Sequence, residues 1–229
     1  MTAVARTFSP SSRARLTDRD LERFPDHTLF HRLARASCHA GCLPRKELYE
    51  AWEMARRVRR LFRGGRVVDL GGGHGLLAQA MLLLDDSSPS ALVVDKTLPP
   101  SSAKLHAVLV AEWPRLTGRV DFIARALEEV EILPADVVVS SHACGDLTDR
   151  VLDRASAVGA RVAVLPCCHN LATCAAGALS GWVEKPMAID IMRAMRLQQR
   201  GYRTWTQTIP EAITPKNRLL IGAVDRRQP

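Results

Sequence analysis

The stretch Arg66-Val67-Val68-Asp69-Leu70-Gly71-Gly72-Gly73-His74-Gly75-Leu76-Leu77-Ala78 decides how this chain reads. A short apolar strand carries an acidic residue near its end, turns through glycines and opens an apolar helix. Open parallel sheets build a nucleotide-sized pocket in this order, at the carboxyl end of the first strand. Glycines in the turn let the backbone approach a ligand that side chains would block. A second apolar run, Ala91-Leu92-Val93-Val94, closes on another carboxylate, Asp95.

Outward from there, apolar strands alternate with helical stretches. Strands are predicted over 66–70, 91–94, 119–124, 136–140 and 161–165, with helices over 76–84, 103–113 and 149–158. Their near-continuous Val and Leu content suits strands buried on both faces of a parallel sheet. A helix over 186–200 and two late strands, 203–209 and 217–224, complete an α/β pattern. Upstream, Leu43-Pro44 opens a helix that ends at Gly64-Gly65, with Leu48, Trp52, Ala55, Val58 and Phe62 on one face. Arg56, Arg57, Arg59, Arg60 and Arg63 crowd its last turns. Residues 20–35 show weaker helical patterning broken at Pro25, and residues 1–20 read as a loose tail. The expected division is a basic helical cap over 1–63 and a sheet domain over 64–229.

Hydrophobic residues form 47% of the 229, enough for a sizeable core, which argues against global disorder. No apolar run approaches the ~20 residues of a membrane span. The start of the chain lacks the secretory pattern, so the expected compartment is the cytoplasm. Six cysteines are then expected as reduced thiols. The charge is uneven: residues 1–66 hold 15 basic and 7 acidic side chains, and the remainder holds 17 of each. A basic cap of this kind suits the phosphates of a nucleic acid, or a solvated helix face.

The glycines fall at 71, 73 and 75. The dinucleotide pattern G-x-G-x-x-G needs its third glycine where Leu76 stands, and no G-x-x-x-x-G-K-[S/T] exists for a P-loop. Asp69-x-Gly71-x-Gly73-x-Gly75 with Asp95 instead resembles the S-adenosylmethionine (SAM) site of class I methyltransferases. That resemblance implies a Rossmann-like, mostly parallel seven-stranded sheet with helices on both faces and a reversed last strand. It implies that Asp69 orders the glycine loop and that Asp95 accepts hydrogen bonds from the ribose hydroxyls. Ala126 and Leu127, after the third strand, would line the adenine, and Ser141 would join the cofactor site.

Two further blocks follow the fourth and fifth strands: His142-Ala143-Cys144-Gly145-Asp146-Leu147 and Pro166-Cys167-Cys168-His169-Asn170. They are similar to blocks of one methyltransferase group, which includes eukaryotic methyltransferase-like proteins and certain tRNA 2′-O-methyltransferases. The chain departs from that group in having Asn170 after a single His and in lacking the N-terminal zinc-finger arrangement of the tRNA enzymes. The residues leave several roles open. His142 and His169 can position an acceptor or take its proton. Cys144 or Cys167 can act as a thiolate nucleophile. Cys167, Cys168 and His169 can bind metal with Cys174 or with Cys38-His39-x-x-Cys42, or the set can be structural. Adjacent Cys167 and Cys168 lack the spacing of a zinc knuckle, so no metal ligand is assigned. His142, Cys144, Cys168 and His169 are expected to line the acceptor pocket. The expected acceptor is RNA, tRNA or rRNA, bound through the cap; a protein side chain, a small molecule, or a SAM- or metal-binding module without turnover are the other readings.

Overall fold

The computed structural model describes residues 8–225. Seven strands form one sheet in the order β3-β2-β1-β4-β5-β7-β6. These are β1 (Val67–Leu70), β2 (Ala91–Asp95), β3 (Val120–Ala124), β4 (Val137–Ser140), β5 (Arg161–Val164), β6 (Tyr202–Thr208) and β7 (Arg218–Val224). The first five run parallel, and β7 lies antiparallel to both β5 and β6. The expected strands and late helix all form, with bounds shifted by a residue or two.

Residues alternate across a strand, and β1 shows what this does. Val67 packs into a core with α1 (Leu29–Ala40), α2 (Arg45–Leu61), α3 (Leu76–Leu84) and α4 (Pro100–Glu112). Val68 and Leu70 pack into the opposite core, which holds α5 (Leu147–Ala157) and Leu197 of α6 (Lys185–Gln199). Asp69 therefore shares the side of Val67, beneath the start of α3. Both faces are covered, as an apolar parallel sheet requires.

The loose tail is not borne out beyond residue 7. Leu16 is buried, its amide donates to Leu43 O at 2.9 Å, and Phe8 packs edge-on against Phe24 at 5.7 Å. Two aromatic rings and a buried leucine anchor a segment that composition alone marks as polar. Residues 1–7 of that expectation lie outside the described residues. The weakly patterned stretch resolves into a 3-10 turn over Asp18–Arg23 and then α1, which starts at a Thr28 cap and runs through Cys38 and His39.

The arginines of α2 are mostly turned inward. Arg59 is 2% exposed, donates to Met81 O at 3.1 Å and to Ser88 Oγ at 2.8 Å, and pairs with Asp85 at 3.2 Å. Burial lowers its pKa to about 10 despite Asp85. Arg56 and Arg57 fold back on Glu53, and Arg63 donates to Leu84 O. Arg60 is exposed. Arg59 and Arg63 thus pin the end of α2 to α3 and the loop after it, while Arg56 and Arg57 are paired within α2. Among the described residues, no helix is long and apolar enough to cross a membrane.

Candidate active site

The strand order reverses between the parallel neighbours β1 and β4: β2 and β3 extend the sheet to one side, β4 and β5 to the other. Ligands bind open α/β sheets in the crevice at such a switch point. Here the crevice is bounded by the glycine loop after β1 and by Ser141-His142 after β4. Ser140 Oγ donates to Leu70 O at 2.5 Å and closes its floor.

The glycine loop bends back over β2. Gly71 and Gly72 amides donate to Val94 O at 2.8 and 3.1 Å, and the Gly73 amide donates to Asp95 Oδ2 at 3.1 Å. The two outer glycines have different reasons to be glycine. At Gly75 (φ 73°), which caps α3, a Cβ would lie 2.6 Å from Phe122. At Gly73 (φ 49°) a Cβ would meet nothing within 4 Å. Gly75 is required by packing. Gly73 is favoured by its left-handed backbone and borders open space, which leaves room for a ligand.

That space is a cavity of about 320 Å³ lined by Gly71, Gly72, Gly73, His74, Asp95, Ser141 and His142, and roofed by Leu43, Glu47 and Ala51 from the start of α2. An adjoining space of about 270 Å³ shares Gly71, Asp95 and Leu147 with it and adds Lys96, Arg125, Leu127 and Arg150. Asp95 stands where the two meet. His74 is fixed by a 2.8 Å hydrogen bond to Ser101, with Glu47 at 3.7 Å.

Asp69 is 1% exposed, and its carboxylate oxygens make no close hydrogen bond, the Ala78 amide being the one donor that approaches them. Burial pushes its pKa up to about 7; the Ala78 amide in the first turn of α3 tempers this, and the Asp95 charge adds to it. The carboxylate lies against the underside of the loop, where a Cβ on Gly72 would sit 2.9 Å from it.

A third cavity, about 560 Å³, shares Glu47 and His142 with the first. It is also lined by Arg13, Lys46, Cys167, Cys168, Thr214 and Lys216. His142 is therefore the partition between two spaces. Cys144, Cys167 and Cys168 form a cluster of thiols within 4.8 Å of one another. Burial pushes Cys167 and Cys144 up; the Cys144 thiol and the Lys216 ammonium hold Cys168 below its ordinary value.

His169 goes elsewhere. Its Nε2 donates to Asp190 Oδ1 at 2.8 Å, and both side chains are largely buried. Asp190 also accepts from Arg218 at 2.7 Å and from Arg193 at 3.2 Å. Burial would raise Asp190, but His169 and Arg218 outweigh it and hold the carboxyl low. Arg193 is 1% exposed and bonds Asp149 at 2.7 Å and Gly145 O at 2.9 Å. This network fastens α5 and α6 to the two Cys/His loops.

The sequence of the family described as "Methyltransferase domain" matches residues 46–174, more than half of the chain. The chain belongs to the methyltransferase-domain family. The fold is the Rossmann-like class I methyltransferase fold, whose cofactor is S-adenosylmethionine. Solved structures share that fold. An O-methyltransferase family protein from Burkholderia thailandensis is 20% identical with a TM-score of 0.51, the match covering 92% of this chain and 63% of that one. Mitomycin 7-O-methyltransferase MmcR is 19% identical with a TM-score of 0.51, covering 92% and 64%. The SAM-dependent methyltransferase SibL is 18% identical with a TM-score of 0.50, covering 93% and 66%. The chain thus spans less than two thirds of the length of these proteins. A search of curated proteins finds no match.

The first two cavities fit SAM. Gly73 leaves open space, and Asp95 stands at their junction with acceptor oxygens. Of the residues expected from the sequence, Gly71, Gly73, Asp95 and Ser141 line the first cavity, with Asp95 and Leu127 on the second. Gly75, Asp69 and Ala126 are not lining residues: Gly75 packs on Phe122, Asp69 lies below the floor, and the neighbours of Ala126, Arg125 and Leu127, do the lining instead. Sequence reasoning missed Glu47, Ala51 and His74. Glu47 and Ala51 belong to the cap helix, whose entry angle over the loop is a tertiary fact; His74 sits at a variable position of the glycine pattern.

Of the four residues expected at the acceptor, His142, Cys144 and Cys168 face one region, and His169 is turned into the α6 network. Cys38 is buried with a pKa pushed up to about 12 by burial and the Asp20 and Asp18 charges. Cys42 meets Ser101 O at 3.7 Å, and Cys174 lies against Asp149. None of these three joins the thiol cluster. Lys216 lines the outer cavity, whereas Arg218 is held by Asp190.

Proposed function

We propose that the chain transfers a methyl group from SAM to an acceptor entering the outer cavity past His142, and that the acceptor is a nucleotide of RNA. The observation that carries this is the shared wall: His142 lines both the donor cavity and the outer cavity. SAM supplies an electrophilic methyl on its sulfonium. The chain's contribution is alignment of the acceptor lone pair with that methyl, which is the larger part of such catalysis. His142 is placed to accept a proton from an attacking oxygen or nitrogen. The cavity of about 560 Å³ accommodates a single nucleotide.

RNA is favoured by Arg13 and Lys216 at the outer cavity, where Lys46 is paired with Glu50 at 3.1 Å. It is favoured also by the resemblance of the H-x-C-G-D-L and C-C-x-H-type blocks to those of tRNA 2′-O-methyltransferases. The contact is concentrated at this mouth rather than spread over the cap, since Arg56, Arg57, Arg59 and Arg63 are engaged within the chain. Radiolabelled SAM is incubated with the chain and with extract pools separated into RNA, protein and small molecules. Label enters the RNA pool, and Arg13→Ala with Lys216→Ala lowers RNA affinity and the steepness of its salt dependence. Label in protein or small molecules alone contradicts the RNA reading. SAM binding with no labelled pool contradicts turnover.

A further inference from the structure

Three thiols from two separate loops meet beside the outer cavity. Cys144 follows β4; Cys167 and Cys168 follow β5. Cys144 Sγ lies 3.0 Å from Cys167 Sγ, Cys167 Sγ lies 3.8 Å from Cys168 Sγ, and all three fall within 4.8 Å. A tetrahedral zinc ion with bonds of about 2.3 Å needs sulfurs about 3.8 Å apart. The cluster brackets that spacing.

The frame that brings the thiols together does not depend on the thiols. The Gly145 amide donates to Cys168 O at 3.2 Å and ties the loops directly. Gly145 has φ 62°, and Asn170 would lie 3.3 Å from a Cβ there. The buried Arg193 guanidinium holds the Gly145 carbonyl from below, and Thr148 Oγ1 donates to Ala143 O at 2.5 Å. Adjacent cysteines are poorly spaced for a one-loop metal knuckle. A third thiol from the neighbouring strand removes that objection, because the set is closed by the sheet and not by sequence spacing.

We propose that Cys144, Cys167 and Cys168 form a three-thiolate site for a soft divalent cation, zinc foremost, with its fourth position open to the outer cavity. Three thiolates and zinc carry one net negative charge, which Lys216, 3.8 Å from Cys168 Sγ, offsets. Three protein ligands with an open position are the pattern of reactive zinc sites, whereas four close a structural one. His169 is excluded from the set by its bond to Asp190. The site stands on thiol geometry and holds whichever molecule accepts the methyl group.

Zinc, and cobalt(II) as its coloured stand-in, are titrated into the full chain made metal-free under reducing conditions. One equivalent binds, and cobalt gives thiolate charge-transfer absorption with tetrahedral d–d bands. Cys144→Ser, Cys167→Ser and Cys168→Ser each weaken zinc by more than the roughly 10–100-fold that loss of an outer partner costs. Cys38→Ser and Cys174→Ser leave binding unchanged. SAM titration of each variant shows whether it is folded, and the exposed Cys144 carries the test if the others are not. Added imidazole shifts the d–d bands by entering the fourth position. Absence of the charge-transfer band in the reduced chain, or its survival in Cys144→Ser, overturns the site. A Cys144–Cys167 disulfide that takes up no metal after reduction overturns it equally. Bands insensitive to imidazole overturn the open position.

Discussion

Replacing Asp69 by Asn changes how stability depends on pH, and the magnitude follows from burial. The carboxyl is 1% exposed with only the Ala78 amide near it, and its pKa rises from 3.8 to about 7. A raised carboxyl is bound more tightly to its proton in the folded chain than in the unfolded one. As pH climbs past the unfolded value, the unfolded chain releases its proton first, so stability falls. The fall continues until the folded chain also ionises near pH 7, and then levels off. At 1.36 kcal/mol per pH unit, the window gives an upper bound of about 4 kcal/mol. That is a large fraction of the roughly 5–15 kcal/mol that holds a domain folded. Asn cannot ionise, so Asp69→Asn lacks this term. Urea unfolding of both proteins in the presence of reductant, across about pH 4 to pH 8, gives the difference curve, in which other titrating groups cancel. Asp69→Asn gains on the parent chain as pH rises through this window. A difference that is flat with pH, or one in which the parent gains, refutes the claim that a buried carboxyl with no close hydrogen bond lies under the glycine loop.

Gly73→Ala leaves the fold intact at a cost of about 1–2 kcal/mol for the left-handed backbone, because nothing lies within 4 Å of its Cβ; it weakens SAM binding more than about tenfold, and calorimetry showing full affinity counts against the cradle. Gly75→Ala shows the reverse emphasis, with about 1–3 kcal/mol of overpacking against Phe122 read as a lowered urea midpoint. Arg193→Met removes the buried cation shared by Asp149 and Asp190, which keep Arg196 and Arg218, and lowers stability by about 1–3 kcal/mol; a loss under about 1 kcal/mol would place the network at the level of a surface ion pair.

The sheet was legible because its strands are short apolar runs and its first turn has a glycine spacing that few folds share. Their order puts both Cys/His loops at the carboxyl edge of the sheet, where the cavities lie. What sequence could not convey was direction. Arg59 looks like surface charge in a run of arginines, yet its guanidinium meets Met81 O, Ser88 and Asp85 inside the protein. His169 looks equivalent to His142, yet Asp190, twenty-one residues later on α6, draws it away from the cavity. Cys144 and Cys167 are 23 positions apart and touch only because β4 and β5 are neighbours. The tail was misread for a related reason. Phe8 and Leu16 are isolated apolar residues in a polar stretch, and only the groove made by Phe24 and Leu43 gives them a place to bury.

The central claim is that SAM binds across the glycine loop with Asp95 as the anchor at the junction of its two cavities. Isothermal titration of SAM into the parent chain and into Asp95→Ala tests it most directly. The account predicts binding by the parent and a loss of about 1.5–3 kcal/mol in the variant, the worth of hydrogen bonds to a charged group. No heat of binding in the parent, or equal affinity in Asp95→Ala, would contradict it.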